Sequence, residues 1–212
     1  MLKLDHLTVI APTLSEGVAH VQACLDLDVP FGTRHLYMGT HNHRLQLGRN
    51  VYLEIVALDP EGAAPPRARW FGLDDQKKVR EDWDNGRRLR GWVASSKSFD
   101  LVASGDRQIF GDEVALPFDA PSFSFSIPSN GSLALNGAAP SLINHRDESR
   151  SIAHIPDLGA ELLSFTLEHT ELEMVNALYE RLSIDRPPLV VHGPQLKYRA
   201  SVATPSGPRE LT

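Results

Sequence analysis

Leu4-Asp5-His6-Leu7-Thr8-Val9-Ile10 and Val51-Tyr52-Leu53-Glu54-Ile55-Val56 decide the fold between them. Both alternate with a period of two, so each reads as a strand with two distinct faces. In the first, Leu7 and Val9 share one face while Leu4, His6, Thr8 and Ile10 share the other. In the second, Val51, Leu53 and Ile55 oppose Tyr52, Glu54 and Val56. A carboxylate in the middle of an apolar strand is costly unless something pairs with it. His6 and Glu54 are therefore read as partners on the inward face of one cupped sheet.

Between the two strands lies a helix and two further strands. Thr13-Leu14-Ser15-Glu16 is a capping box, followed by Val18, Val21 and Leu25 at helical spacing, which predicts a helix over 13–26. Asp28-Val29-Pro30-Phe31-Gly32 ends it. Residues 33–38 and 43–47 read as strands joined by a turn at Gly39. His43 shares parity with Leu45 and Leu47 and is read as the inward one of the pair His41 and His43. His35, His145, His154, His169 and His192 are read as surface or loop residues on their own positions, and His20 as exposed on the first helix.

The order strand, helix, strand, strand, strand, with Leu4-Asp5-His6-Leu7, Gly39-Thr40-His41-Asn42 and Tyr52-Leu53-Glu54-Ile55, resembles the first module of the vicinal oxygen chelate superfamily, most closely its glyoxalase-like domain branch. That superfamily includes glyoxalases, extradiol dioxygenases, epimerases and the fosfomycin and bleomycin resistance proteins. The resemblance covers residues 1–60 well and is looser beyond. It implies an α+β fold of paired βαβββ modules curling around a cavity, within one chain or across a homodimer. It also implies a divalent ion (iron, manganese, zinc, nickel or magnesium) held by a first-strand histidine and a fourth-strand glutamate, positions filled here by His6 and Glu54. Two function classes follow from it. One is a metal-dependent lyase, isomerase or dioxygenase, with Glu54 and His43 as catalytic groups and His6, Glu54, His43 and His145 as metal ligands. The other is a metal-free protein that binds a small organic molecule without turnover.

A degenerate second module is expected over 91–150. Gly91-Trp92-Val93-Ala94-Ser95 reads as its first strand, 98–104 as a short helix, and 112–116, 122–127 and 139–145 as strands. Aligned on apolar pattern, Gly91 falls where His6 stands and Asn144 about where Glu54 stands, with His145 beside it; a shift of one residue would turn His145 inward. The stretch 61–90 reads as a linker or insertion. Its charged run from Asp74 to Arg90 is read as a solvated face; the alternative is that Trp70 and Phe71 beside Arg67 and Arg69 line the cavity mouth and meet an anionic ligand. Residues 151–212 read as a partial third module, with a strand at 162–168, a second capping box at Thr170-Glu171-Leu172-Glu173, a helix over 170–183, and strands at 189–192 and 197–204.

Composition sets the outer limits. At 212 residues with 42% hydrophobic and 23% charged residues, the chain is long enough to bury a substantial core. A formal net charge of −6 argues against a nucleic-acid surface, which needs clustered positive potential. The single cysteine, Cys24, cannot form an internal disulfide, and its place on the apolar side of a helix marks it as packing. No run of 18 apolar residues and no secretory pattern occur, so a cytoplasmic, membrane-free protein with a small-molecule ligand is expected.

Overall fold

The computed structural model describes residues 1–99, 106–146 and 151–212. Its first strand, β1 (Leu2–Ile10), is followed by α1 (Leu14–Leu25), β2 (Phe31–His35), β3 (Thr40–Gln46) and β4 (Tyr52–Leu58). A second set consists of α2 (Gln76–Asp84), β5 (Leu89–Ser95), α3 (Arg107–Phe110), β6 (Asp112–Leu116), β7 (Phe123–Ile127) and β8 (Ser141–Asn144). These eight strands form one curled mixed sheet in the order β2-β3-β4-β1-β5-β8-β7-β6. β1 runs parallel to β4 and β5 parallel to β8, while β1 and β5 meet antiparallel. Each half thus repeats the other's pairing about the β1/β5 seam, which is the paired βαβββ arrangement. The helix expected over 98–104 falls largely outside the described residues.

The chain closes with β9 (Glu161–His169), α4 (Leu172–Arg181), β10 (Ile184–Asp185), β11 (Leu189–His192), β12 (Lys197–Thr204) and β13 (Gly207–Leu211). β10 joins the large sheet by pairing with β1, and the others make a second sheet in the order β11-β9-β12-β13. This sheet packs on the convex face of the first. Leu7, Val9, Leu53, Ile55, Trp92 and Ala94 point into one core with Phe165, Tyr198 and Val202. The Trp92 indole donates to the Tyr198 hydroxyl at 3.1 Å, and that hydroxyl donates to Gly137 O at 2.7 Å, so the polar atoms of this aromatic core are satisfied.

A smaller core fills one end of the concave face. Ile10, Val56 and Val93 meet Trp70, Phe71, Leu73 and Val79 from the segment between β4 and β5, together with Phe125 and Ile143. Trp70 and Phe71 therefore plug the cup instead of forming a polar mouth, because two large aromatic rings gain most by leaving water. The charged run is not simply a solvated face either. Asp82 of α2 is buried and receives Lys78 at 2.8 Å and Arg90 at 2.8 Å. Among the described residues, no helix is long and apolar enough to cross a membrane.

The two capping boxes behave differently. Thr13 Oγ1 accepts from the Glu16 amide at 3.3 Å and donates to the Glu16 carboxylate at 2.6 Å, closing the start of α1. Asp26, in the left-handed region at φ 57°, closes its end earlier than Pro30 would require. Thr13→Ala should cost about 1 kcal/mol in urea denaturation; an unchanged midpoint would show that the cap adds nothing. At α4 the box does not form. The cap residue is Glu171, and its amide is taken by His169 Nδ1 at 2.9 Å.

Candidate functional site

Register brings the polar residues of four strands together. β1 and β4 pair His6 with Tyr52 and Thr8 with Glu54, while β3 and β4 set Arg44 opposite Glu54. A shift in the β1/β5 register between Leu4 and His6 alters the simple alternation. Such an irregularity re-aims side chains, and here both Asp5 and His6 serve the same site. The His6 imidazole lies between two carboxylates, with Nδ1 on Asp5 Oδ1 at 2.9 Å and Nε2 on Glu54 Oε2 at 3.4 Å. The ring stacks on Tyr52, centroids 4.4 Å apart.

Each neighbour extends this chain of contacts. The Asn42 amide donates to Glu54 Oε1 at 2.6 Å, while its own Oδ1 accepts the Thr33 backbone amide at 2.8 Å. Gly32 permits that approach, since a Cβ there would sit against Asn42 Oδ1 and the Arg44 guanidinium. At the other end, His145 Nε2 meets Asp5 Oδ2 at 2.9 Å. A cavity of about 260 Å³ opens over this row, lined by Glu54, Asn42 and Arg44 and walled by Tyr37, Tyr52 and Phe123.

Electrostatics fixes the charge states. Burial alone would lower the His6 imidazole, but Asp5 and Glu54 on its two sides raise it above its ordinary value. Burial likewise would raise the Glu54 carboxyl, yet His6, His35 and the Asn42 amide hold it at about 2. Glu54 is thus a carboxylate at neutral pH, and the His6 imidazole beside it holds its proton more readily than a free imidazole does. His35 goes the other way: burial pushes it down to about 4, so it lines the cavity as a neutral ring. Its Nδ1 sits 3.1 Å from Thr40 Oγ1, and Trp70 meets its face edge-on at 5.2 Å.

The residues expected at the site divide. His6 and Glu54 meet, and His145 lines the same cavity through Asp5. His43 does not reach it. Its Nδ1 donates to Val29 O at 2.6 Å and its ring meets Phe31, on the face of β3 that carries Leu45 toward α1. The apolar parity on β3 is the convex one, so Asn42 and Arg44 take the inward positions instead. Asp5, Tyr37, Asn42 and Arg44 were missed by reading the histidines alone, and His35, read as a surface or loop residue, is a buried part of the lining; the antiparallel pairing that sets Arg44 opposite Glu54 is the signal that would have found Asn42 and Arg44.

The superfamily's metal can be tested on this donor set. Among the described residues, no three His, Cys, Asp or Glu side chains are arranged to hold an ion. Both Glu54 oxygens are engaged, one by the Asn42 amide and the other by the His6 imidazole. In the second half, Gly91 offers no ligand, and Asn144 is spent on two loop backbones, donating to Lys97 O at 3.1 Å and accepting the Arg146 amide at 2.8 Å. His145 is engaged by Asp5. The residues present do not fit a metal centre of the expected kind.

A family model described as a glyoxalase-like domain matches residues 4–183. No curated protein matches the chain. Among solved structures, a hypothetical protein from Staphylococcus aureus is similar with a TM-score of 0.57 and 10% identity, over 93% of this chain and 88% of that one. At that identity the likeness shows the fold alone. A variant of the Streptomyces coelicolor methylmalonyl-CoA epimerase, in complex with 2-nitronate-propionyl-CoA, is similar over 68% of this chain and 94% of that one, with a TM-score of 0.38 and 13% identity.

Proposed function

This chain belongs to the glyoxalase-like domain family of the vicinal oxygen chelate superfamily, and on that premise we propose that its cup binds a small organic molecule bearing a carboxylate or similar oxyanion, recognised by Arg44. One observation carries the reading. Arg44 lines the cavity and gives Nη2 to Thr33 Oγ1 at 3.1 Å, but its buried Nε has no partner among the described residues. A buried donor without a partner costs about 1–3 kcal/mol, more if charged, unless a ligand or water satisfies it. Glu54 does not do so, because its oxygens are committed to His6 and Asn42.

The pocket is suited to such a guest. Aromatic and aliphatic walls from Tyr37, Tyr52, Phe123 and Ile143 would bury its carbon skeleton, and a few convergent polar groups would fix its orientation. No step in this reading passes through a metal. The test is isothermal titration with glycolate, pyruvate and malonate against the wild type and Arg44→Met. Because a charged hydrogen bond contributes about 1.5–3 kcal/mol, the variant should bind the best of these about tenfold to a hundredfold more weakly. Equal affinity in both proteins would remove Arg44 from the recognition.

A second reading, proton transfer on the bound molecule, is favoured by the Asp5–His6–Glu54 row. A carboxylate orienting an imidazole that faces another reacting group is the geometry of acid–base relays. Against it, an efficient general base is tuned near the working pH, whereas Glu54 is held at about 2. Binding is the better supported of the two.

A further inference from the structure

Beside the cup lies a second cavity of about 680 Å³, and His145 lines both. Among the described residues, its wall carries Lys3, Lys97, Arg146 and Arg186 against one acidic side chain, Asp185. In a chain whose formal net charge is −6, four cations around one hollow form a local positive field that the composition does not dictate. None of the four makes an ion pair with a described residue. Arg146 gives Nη2 to Ser124 Oγ at 3.3 Å, and the others make no side-chain hydrogen bond among the described residues.

The fold places these cations. Lys3 pairs with Asp185 on β10 and with Ser95 on β5, which sets Arg186 just beyond its neighbour strand. Asn144, at the end of β8, ties the loops that carry the other two by bonding Lys97 O and the Arg146 amide. Asn144, which the apolar pattern alone set near the Glu54 position, is instead a clamp for two cationic loops.

We propose that this chamber takes the phosphate of a ligand whose other end lies in the cup, so that the natural ligand is an organic phosphate extended past His145. The inference rests on the cup being the ligand site. A phosphate carries close to two negative charges and three strong acceptors, and arginine forks match its oxygens. One carboxylate would leave most of the four cations unpaired.

Pyrophosphate reads the chamber alone and is the probe. In calorimetric titration at low salt the wild type should bind it, with affinity falling as salt rises. The Arg146→Gln/Arg186→Gln double variant should lose at least tenfold, while Lys77→Gln, which removes the same kind of charge from α2, should not. Absent or variant-independent pyrophosphate binding overturns the chamber. If carboxylates still bind wild type through Arg44 in that case, the cup reading survives; if pyrophosphate binds and no carboxylate does, the cup reading fails instead. Sedimentation with phosphatidylglycerol vesicles that pyrophosphate cannot displace would assign the cations to a membrane surface and also overturn the proposal.

Discussion

His6→Ala should lower the unfolding free energy at pH 6, below the ordinary imidazole value, by about 3–5 kcal/mol, the usual effect of removing one partner from a buried ion pair. His6, Asp5 and Glu54 are all nearly inaccessible to water. Deleting the imidazole leaves Glu54 in a low-dielectric site with only the Asn42 amide to satisfy it, and takes from Asp5 one of its partners. The stacking on Tyr52 goes as well. Glu54→Gln should cost less, because His6 keeps Asp5 and Asn42 can still donate to the amide oxygen. The decisive measurement is the double variant in urea denaturation. Once His6 is gone, neutralising Glu54 removes an orphaned charge, so the double variant should be more stable than His6→Ala alone. Effects that merely add, within about 0.5 kcal/mol, would mean that the two groups do not form the pair described.

The strands that carry His6 and Glu54 were legible because period-two alternation records two different environments. Leu7, Val9, Leu53 and Ile55 face the core shared with α1 and the second sheet, and Tyr52, Glu54 and Val56 face the other way; on β1 the alternation fails at Leu4, which packs against the convex core while Asp5 lines the cup across the register shift. The same rule, applied to β3 by the company His43 keeps, points the wrong way: in a sheet buried on its convex face, apolar neighbours mark the outside. Asn42 and Arg44 look unremarkable until β3 is paired with β4. His35 was read as a surface residue since β2 is a short edge strand whose pairing with β3 is irregular between Phe31 and Arg34, so alternation gives no guide to its inward ring. Trp70 and Phe71 were recognisable as belonging to the cavity region, but their role as a plug depends on Phe125, distant in sequence. Metal ligation was inferred by resemblance from two positions; the contacts of Asp5, Asn42 and Asn144 that argue against it are tertiary.

The pH dependence of stability should separate these groups by sign. Stability rises with pH wherever the unfolded chain binds more protons than the folded one. His35 is lowered from 6.5 to about 4, so between those values the unfolded chain takes a proton that the folded one refuses. Its contribution is complete above 6.5 and is lost as pH falls toward 4; a shift of 6.5 − 4 corresponds to about 3 kcal/mol at 1.36 kcal/mol per unit. Glu54, lowered from 4.5 to about 2, adds a second loss of similar size that begins below 4.5 and runs to about 2. His6 acts on the other side. Its folded value lies above 6.5, so its stabilisation is full below 6.5 and fades as pH rises through that higher value. Urea midpoints should therefore peak near neutrality and fall on both flanks. His20 and His41, also lowered by burial, share the sign of His35 but are only partly enclosed. The distinguishing variant is His35→Gln: whatever it costs at pH 7, its curve between 6.5 and 4 should be flatter than that of the wild type. Parallel curves would show that the ring of His35 is not held neutral by the cup, and that Thr40, Asn42 and Trp70 do not enclose it as described.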